Sequence, residues 1–178
     1  MSEGGAGPRD PHGPARYARA CIESLVRGAV PPEPPDDDFY SRAAACFVSV
    51  KKRGQLRGCI GTLAPCEPDL GREIIRNAAS AAFHDPRFTP VAADELGDLT
   101  YSVDVLGATE ATRLEELDPH RYGVIVTAGM RRGVLLPDLA GVDGVHEQVA
   151  IAMQKAQIAA DERYAVERFT VDRYGEDE

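Results

Sequence analysis

Hairpins and separate helices, rather than strands alternating singly with helices, place this sequence in the α+β class. The expected architecture is a mainly antiparallel sheet built from hairpins with packed helices. Three observations carry that reading. Two pairs of strand-like runs are joined by short glycine-containing turns, one across Arg53-Gly54 and one across Ala128 to Arg132. Three stretches, near 15–27, 68–84 and 145–160, repeat apolar residues at spacings of three and four. No phosphate loop, dinucleotide fingerprint or internal repeat marks a doubly wound parallel sheet. The pattern leaves room for two subdomains around a cleft.

Composition bounds the function. The chain has 178 residues, 43% hydrophobic and 28% charged, enough to bury a sizeable core in one domain. A formal charge of -9 argues against broad binding to nucleic acid or to anionic lipid. No apolar run has the length of a membrane span, and the N-terminus lacks the apolar core of a signal peptide, so a cytoplasmic protein is expected. Cys21, Cys46, Cys59 and Cys66 show no CxxC or zinc-ribbon spacing and are read as reduced thiols.

Residues 1–14 are rich in glycine and proline and read as a disordered tail, including His12, which is given no role. The domain then spans 15–173. Tyr17, Ala18, Cys21, Ile22, Leu25 and Val26 make an amphipathic helix that ends at Gly28 and the following prolines. Residues 31–38 are an extended acidic linker. The run 46–52 alternates as a strand, Arg53-Gly54 turns the chain, and 55–60 returns. A two-residue turn would set Val48 opposite Cys59, with Cys46 diagonal to it.

Pro68, Asp69 and Glu73 suit the start of the second helix, whose face carries Leu70, Ile74, Asn77, Ala81 and His84 before Pro86 stops it. Leu99, Tyr101, Val103 and Val105 alternate with polar residues as a half-buried strand over 99–106. A polar connection with a helical turn around 114–117 leads to strands at 122–127 and 133–136. A long helix over 145–160 and a last strand over 164–171 follow, with an acidic tail at 174–178.

The candidate site centres on Leu56-Arg57-Gly58-Cys59-Ile60-Gly61. Regular alternation would put Arg57, Cys59 and Gly61 on one face, where the guanidinium would favour the thiolate. Gly58 and Gly61 would let a ligand or another backbone approach the thiol. Against this stands the plain alternative of a small buried cysteine in a hairpin. His84 is the candidate general base, or else a helix-end histidine with Asp85 and Arg87 as surface neighbours. Cys59 with His84 lacks a third ligand, and His146-Glu147 does not start HExxH because Ala150 fills the fifth place, so no metal is assigned. His120 reads as a solvated turn residue. The clusters Lys51-Lys52-Arg53 and Arg131-Arg132 are solvated turns or an anion-binding rim.

CFVSVKKRG followed by LRGCIG, then AAFHDPRF, then GMRRGVLLP resembles the AMMECR domain family over roughly 15–172. Where the family continues its last helix with Lys-Ala-Gly, this chain has Lys155-Ala156-Gln157. The family also supplies the A component of AmmeMemoRadiSam systems. The resemblance therefore implies a Memo-like protein and a radical SAM enzyme as associates, and no cofactor is expected. Two functions follow. The first is a component that binds a small anionic ligand or partner proteins at a cleft around LRGCIG, through Arg57, Gly58, Gly61, Arg131 and Arg132. The second is an enzyme in which Cys59 attacks, Arg57 holds the thiolate or an anionic substrate, and His84 moves the proton.

Overall fold

The structure, a computed structural model, describes residues 7–176. The chain divides into two compact units, one running to Val105 and resuming at Asp172, the other spanning Leu106–Val171. Each has its own antiparallel sheet, so the α+β expectation holds. Among the described residues no helix is long and apolar enough to cross a membrane.

The first unit opens with α1 (Gly13–Val26), started by Pro14 and closed where Gly28 takes φ 72°. Its apolar stripe, Tyr17, Ala18, Cys21 and Ile22, is buried. Of the residues expected as a tail over 1–14, those from 7 on are described, and several are bonded into the fold. Residues 1–6 lie outside the described ones, Arg9 N donates to Asp37 Oδ2 at 3.0 Å, and His12 Nδ1 lies 2.9 Å from the Gly175 carbonyl. The linker expected over 31–38 ends in a helical turn, α2 (Asp38–Ser41), because the Asp37 side chain caps Phe39 N at 3.0 Å. That turn buries Phe39 and Tyr40, whose rings meet edge-on at 5.1 Å.

Strands β1 (Cys46–Lys52) and β2 (Gln55–Gly61) form a hairpin whose two turn residues, Arg53 and Gly54, have φ 49° and 81°. Two positive φ values in a two-residue loop match the right-handed twist of the strands it joins. After α3 (Leu70–Phe83) and a 3-10 turn at Ala93–Asp98 comes β3 (Leu99–Leu106). The last strand of this sheet, β8 (Val171–Gly175), occupies part of the expected acidic tail, and the sheet order is β2-β1-β3-β8. Glu176 does not trail away either: it accepts from Arg19 Nη2 at 2.8 Å and from Tyr101 N at 3.0 Å. One face of this sheet carries Cys46, Val48, Val50, Tyr101, Val103 and Val105, all buried in one core with residues of α1 and α3.

The second unit contains β4 (Glu110–Ala111), a 3-10 turn at Leu114–Glu116, β5 (Gly123–Ala128), β6 (Arg131–Leu135), α4 (Val145–Lys155) and β7 (Ala165–Phe169). Its sheet order is β4-β7-β5-β6. The strand expected over 164–171 is thus two strands, β7 and β8, separated at Thr170. Helix α4 stops earlier than the periodicity predicts, because Gln157 turns left-handed at φ 54° and Ile158 N bonds back to the Met153 carbonyl at 2.9 Å.

Candidate functional site

Among the described residues the LRGCIG strand is an edge strand, with β1 on one side and no strand on the other. Its register differs from the expectation. Lys51 pairs with Leu56, but Val50 pairs with Gly58, so Arg57 is the extra residue of a β-bulge. Beyond the bulge Cys59 faces Ser49, not Val48. The turn has the expected two residues; the bulge alone moves the thiol one step.

That step separates Cys59 from Arg57. Arg57 turns to Glu95, donating from Nε at 3.0 Å and from Nη2 at 2.9 Å, and also reaches the Thr89 carbonyl at 2.9 Å. Lys52, which is in phase with the buried Val48 and Val50, donates to the same carboxylate at 3.0 Å. Arg57 therefore joins the residues of the helix-bearing face, and the expected shared face of Arg57 and Cys59 is lost. Its positive charge is committed to Glu95, whose carboxyl these cations and the Ala92 amide hold down to about 2. The cavity beside it, about 530 Å³, is lined by Lys52, Arg57, Arg87, Phe88 and Glu95 among others.

Thr62 N donates to the Cys46 carbonyl at 3.0 Å, which sets the ladder phase and makes Ser49–Cys59 a non-hydrogen-bonded pair. Side chains approach closely in such a pair, and the Ser49 hydroxyl donates to Cys59 Sγ at 3.2 Å. The amide and carbonyl of Cys59 then point off the sheet edge. Asp85 and Arg87 meet them there. Asp85 Oδ2 accepts from Cys59 N at 2.9 Å, and Arg87 Nη2 donates to the Cys59 carbonyl at 3.4 Å. Arg87 also grips Asp85 with Nε at 3.0 Å and Nη2 at 2.8 Å.

Asp85 is thus no surface neighbour, being only 4% exposed. The Arg87 guanidinium, with help from the Cys59 and Arg87 amides, holds its carboxyl well below the usual carboxylate range despite burial. The DPRF segment supplied the signal for Asp85 and Arg87. Ser49 and Glu95 carried none, since the bulge that brings Ser49 to the thiol leaves no trace in the alternation.

Both site glycines touch protein. A Cβ on Gly58 would stand 2.2 Å from the Ala81 carbonyl oxygen of α3, and one on Gly61 would stand 2.3 Å from the Phe47 ring. His84 caps α3, but its ring is exposed and bonds no described residue. Arg131 and Arg132 lie in the second unit, where Arg131 pairs with Glu162 and Arg132 with Glu167 at 3.2 Å. Burial pushes the Cys21 and Cys46 thiols up to about 12, while Cys66 is exposed.

The structure of an uncharacterized protein from Pyrococcus horikoshii is similar, with a TM-score of 0.81 and 29% identity over 92% of this chain and 89% of that one. A protein of Thermotoga maritima is 48% identical over 169 residues, covering 92% of this chain and 97% of its own. A longer protein of Clostridium acetobutylicum is 47% identical over 167 residues, but the match takes in only 36% of its length and 90% of this chain. The AMMECR1 family model matches residues 15–176, and with LRGCIG knitted to DPRF in one network, this chain belongs to the AMMECR1 family.

Proposed function

We propose that this chain is a binding component of an AmmeMemoRadiSam system, presenting the LRGCIG edge and the DPRF segment as a recognition surface for a ligand or a partner. One observation supports this over nucleophilic catalysis: among the described residues no base bonds the thiol. The side-chain partner of Cys59 among the described residues is the Ser49 hydroxyl, a donor. The nearby carboxylate of Asp85 is taken by the Cys59 amide and by Arg87, and the His84 ring is turned outward. A thiol nucleophile needs a neighbouring base or cation to free its proton, and here Asp85 and Arg57 are engaged with other groups while the exposed His84 does not bond the thiol. The Asp85–Arg87 clamp instead holds a fixed surface, which suits recognition without reordering. The associates implied by the family resemblance are a Memo-like protein and a radical SAM enzyme.

The test is affinity capture of those two proteins by the purified chain, with Cys59→Ser and Asp85→Ala compared. Cys59→Ser is expected to bind within about twofold, whereas Asp85→Ala, which frees the segment from the strand, loses more than about tenfold, roughly 1.4 kcal/mol. Cys59 alkylation well below the pH of a free thiol, together with lost activity but intact capture in Cys59→Ser, would establish the nucleophile instead.

A further inference from the structure

The face of the first sheet opposite the helices is the side to which the Cys59 sulfur belongs. Ser49 pairs with Cys59 on β2 and with Ser102 on β3, so three small side chains stand in one row across three strands. Neighbouring strands lie about 4.8 Å apart, so this row is about 10 Å long. The next row on the same face pairs Lys51 with Thr100; the row on the other side pairs Phe47 with Asp104, which binds Arg173 Nε at 2.7 Å and Nη2 at 2.9 Å. Short side chains between longer ones make a trough. A cavity of about 530 Å³ occupies it, lined by Ser49, Lys51, Thr100, Ser102, Asp104 and Arg173 among others.

The charges in this trough differ from those elsewhere in the basic turn. Lys52 is paired with Glu95 and Arg53 with Asp98, but Lys51 has no carboxylate partner among the described residues. The hydroxyls of Ser49, Thr100 and Ser102 can each donate a hydrogen bond. An ammonium beside three hydroxyls suits an oxyanion, and the two carboxylates that line the cavity are paired, Asp104 with Arg173 and Glu176 with Arg19.

We propose that this trough is an oxyanion site, floored by Ser49 and Ser102 and anchored by Lys51, which takes a small molecule bearing a carboxylate or a phosphate. The site deepens the binding reading above and rests on it. The Cys59 thiol, bonded to the Ser49 hydroxyl at 3.2 Å, stands beside this floor and not in it.

The thiol itself reports on the site. Iodoacetate is an anionic alkylating agent and iodoacetamide a neutral one of nearly the same shape; each transfers its methylene to the sulfur and releases iodide. A Cys66→Ser background removes the exposed thiol, and Cys21 and Cys46 are buried. Lys51 stands two residues along β1 from Ser49, so its charge acts on a reagent at Cys59 from about 8 Å. At that distance in water the attraction raises the iodoacetate-to-iodoacetamide rate ratio about two- to threefold at low ionic strength. The ratio is expected to fall by that factor in Lys51→Gln. Inorganic phosphate, added at constant ionic strength, is expected to slow iodoacetate in the parent protein and not in Lys51→Gln or Ser102→Leu.

A ratio unchanged by Lys51→Gln overturns the trough even where Ser102→Leu fails to fold. The ratio is independent of the absolute alkylation rate and of partner capture by Cys59→Ser. The trough can therefore fail while the binding reading stands, and the binding reading can fail while the ratio still moves.

Discussion

Replacing Gly58 with alanine tests how the site is held. The added Cβ would stand 2.2 Å from the Ala81 oxygen and 3.2 Å from its carbonyl carbon, both backbone atoms of α3. Ordinary contact begins near 3.4 Å, so helix and strand must part by about 1 Å, and no side chain can rotate to absorb the move. Overpacking of this kind costs about 1–3 kcal/mol, and the alanine returns about 0.4–1 kcal/mol by restricting the unfolded chain. A second loss follows from position. Asp85 lies two residues beyond the end of α3, and its bond to the Cys59 amide is 2.9 Å long, so a shift of that size breaks it. Loss of a hydrogen bond to a charged group adds about 1.5–3 kcal/mol. Gly58→Ala should therefore be about 2–4 kcal/mol less stable in urea unfolding. Its Cys59 amide should also lose protection in hydrogen exchange. A variant within about 0.5 kcal/mol of the parent, with that amide still protected, would refute the reasoning.

Asp85→Ala leaves the Cys59 amide and the Arg87 guanidinium without their acceptor. Because Arg87 can turn to water, the loss should be about 2 kcal/mol rather than that of a buried unpaired charge, read from urea midpoints. Glu95 has its pKa lowered from 4.5 to about 2 by Arg57, Ala92 and Lys52. Its contribution, roughly 3 kcal/mol, is thus complete above about pH 4.5 and disappears as pH falls through about 2; in Glu95→Gln, stability at pH 7 should drop by that order and this part of the acid limb should flatten. Gln157→Gly should raise the thermal midpoint, since relief of the left-handed conformation, about 1–2 kcal/mol, exceeds the entropic cost of glycine by about 0.5–1 kcal/mol.

Clean alternation made β1 and β3 readable to the residue: every second side chain is buried from Cys46 to Val50 and from Leu99 to Val103. The same rule misplaced Cys59, because a bulge adds one residue without altering the composition on either side. Charged residues failed differently. Asp85 and Glu73 are expected outside by default, yet both are buried as acceptors for loop backbone. Glu73 Oε2 takes the amides of Cys66 at 2.9 Å and Glu67 at 2.7 Å, holding the turn between β2 and α3. Such roles depend on contacts 6 to 26 residues away, which periodicity does not record. At Gln157 the departure from Lys-Ala-Gly changed less than its chemistry suggests. The turn keeps its paired bonds, Gln157 N to Gln154 O at 3.1 Å and Ile158 N to Met153 O at 2.9 Å, and buried Ile158 and Met153 hold it.

The two units solve one packing problem in the same way, and this bears on what the LRGCIG glycines mean. In the second unit a Cβ on Gly133 of β6 would stand 1.8 Å from the Ala152 carbonyl oxygen of α4. Gly58 and Ala81 repeat that relation in the first. A strand glycine under a helix carbonyl lets the helix backbone approach more closely than any side chain would permit. Since Gly133 has no thiol beside it, close helix packing is sufficient reason for a glycine at Gly58, and the residue is no evidence for a ligand. The unusual feature of the first unit lies at the strand edge. An exposed edge strand carries unpaired amides and carbonyls that invite another strand. Asp85 and Arg87 close that edge at Cys59 with side chains, an acceptor for its amide and a donor for its carbonyl. Such a cap blocks strand addition beside the thiol and leaves Cys59, Ser49 and Ser102 together in one row of the sheet. On the proposed binding reading, a ligand or partner would meet the side chains of this cap and of the sheet face, and would not add as a strand.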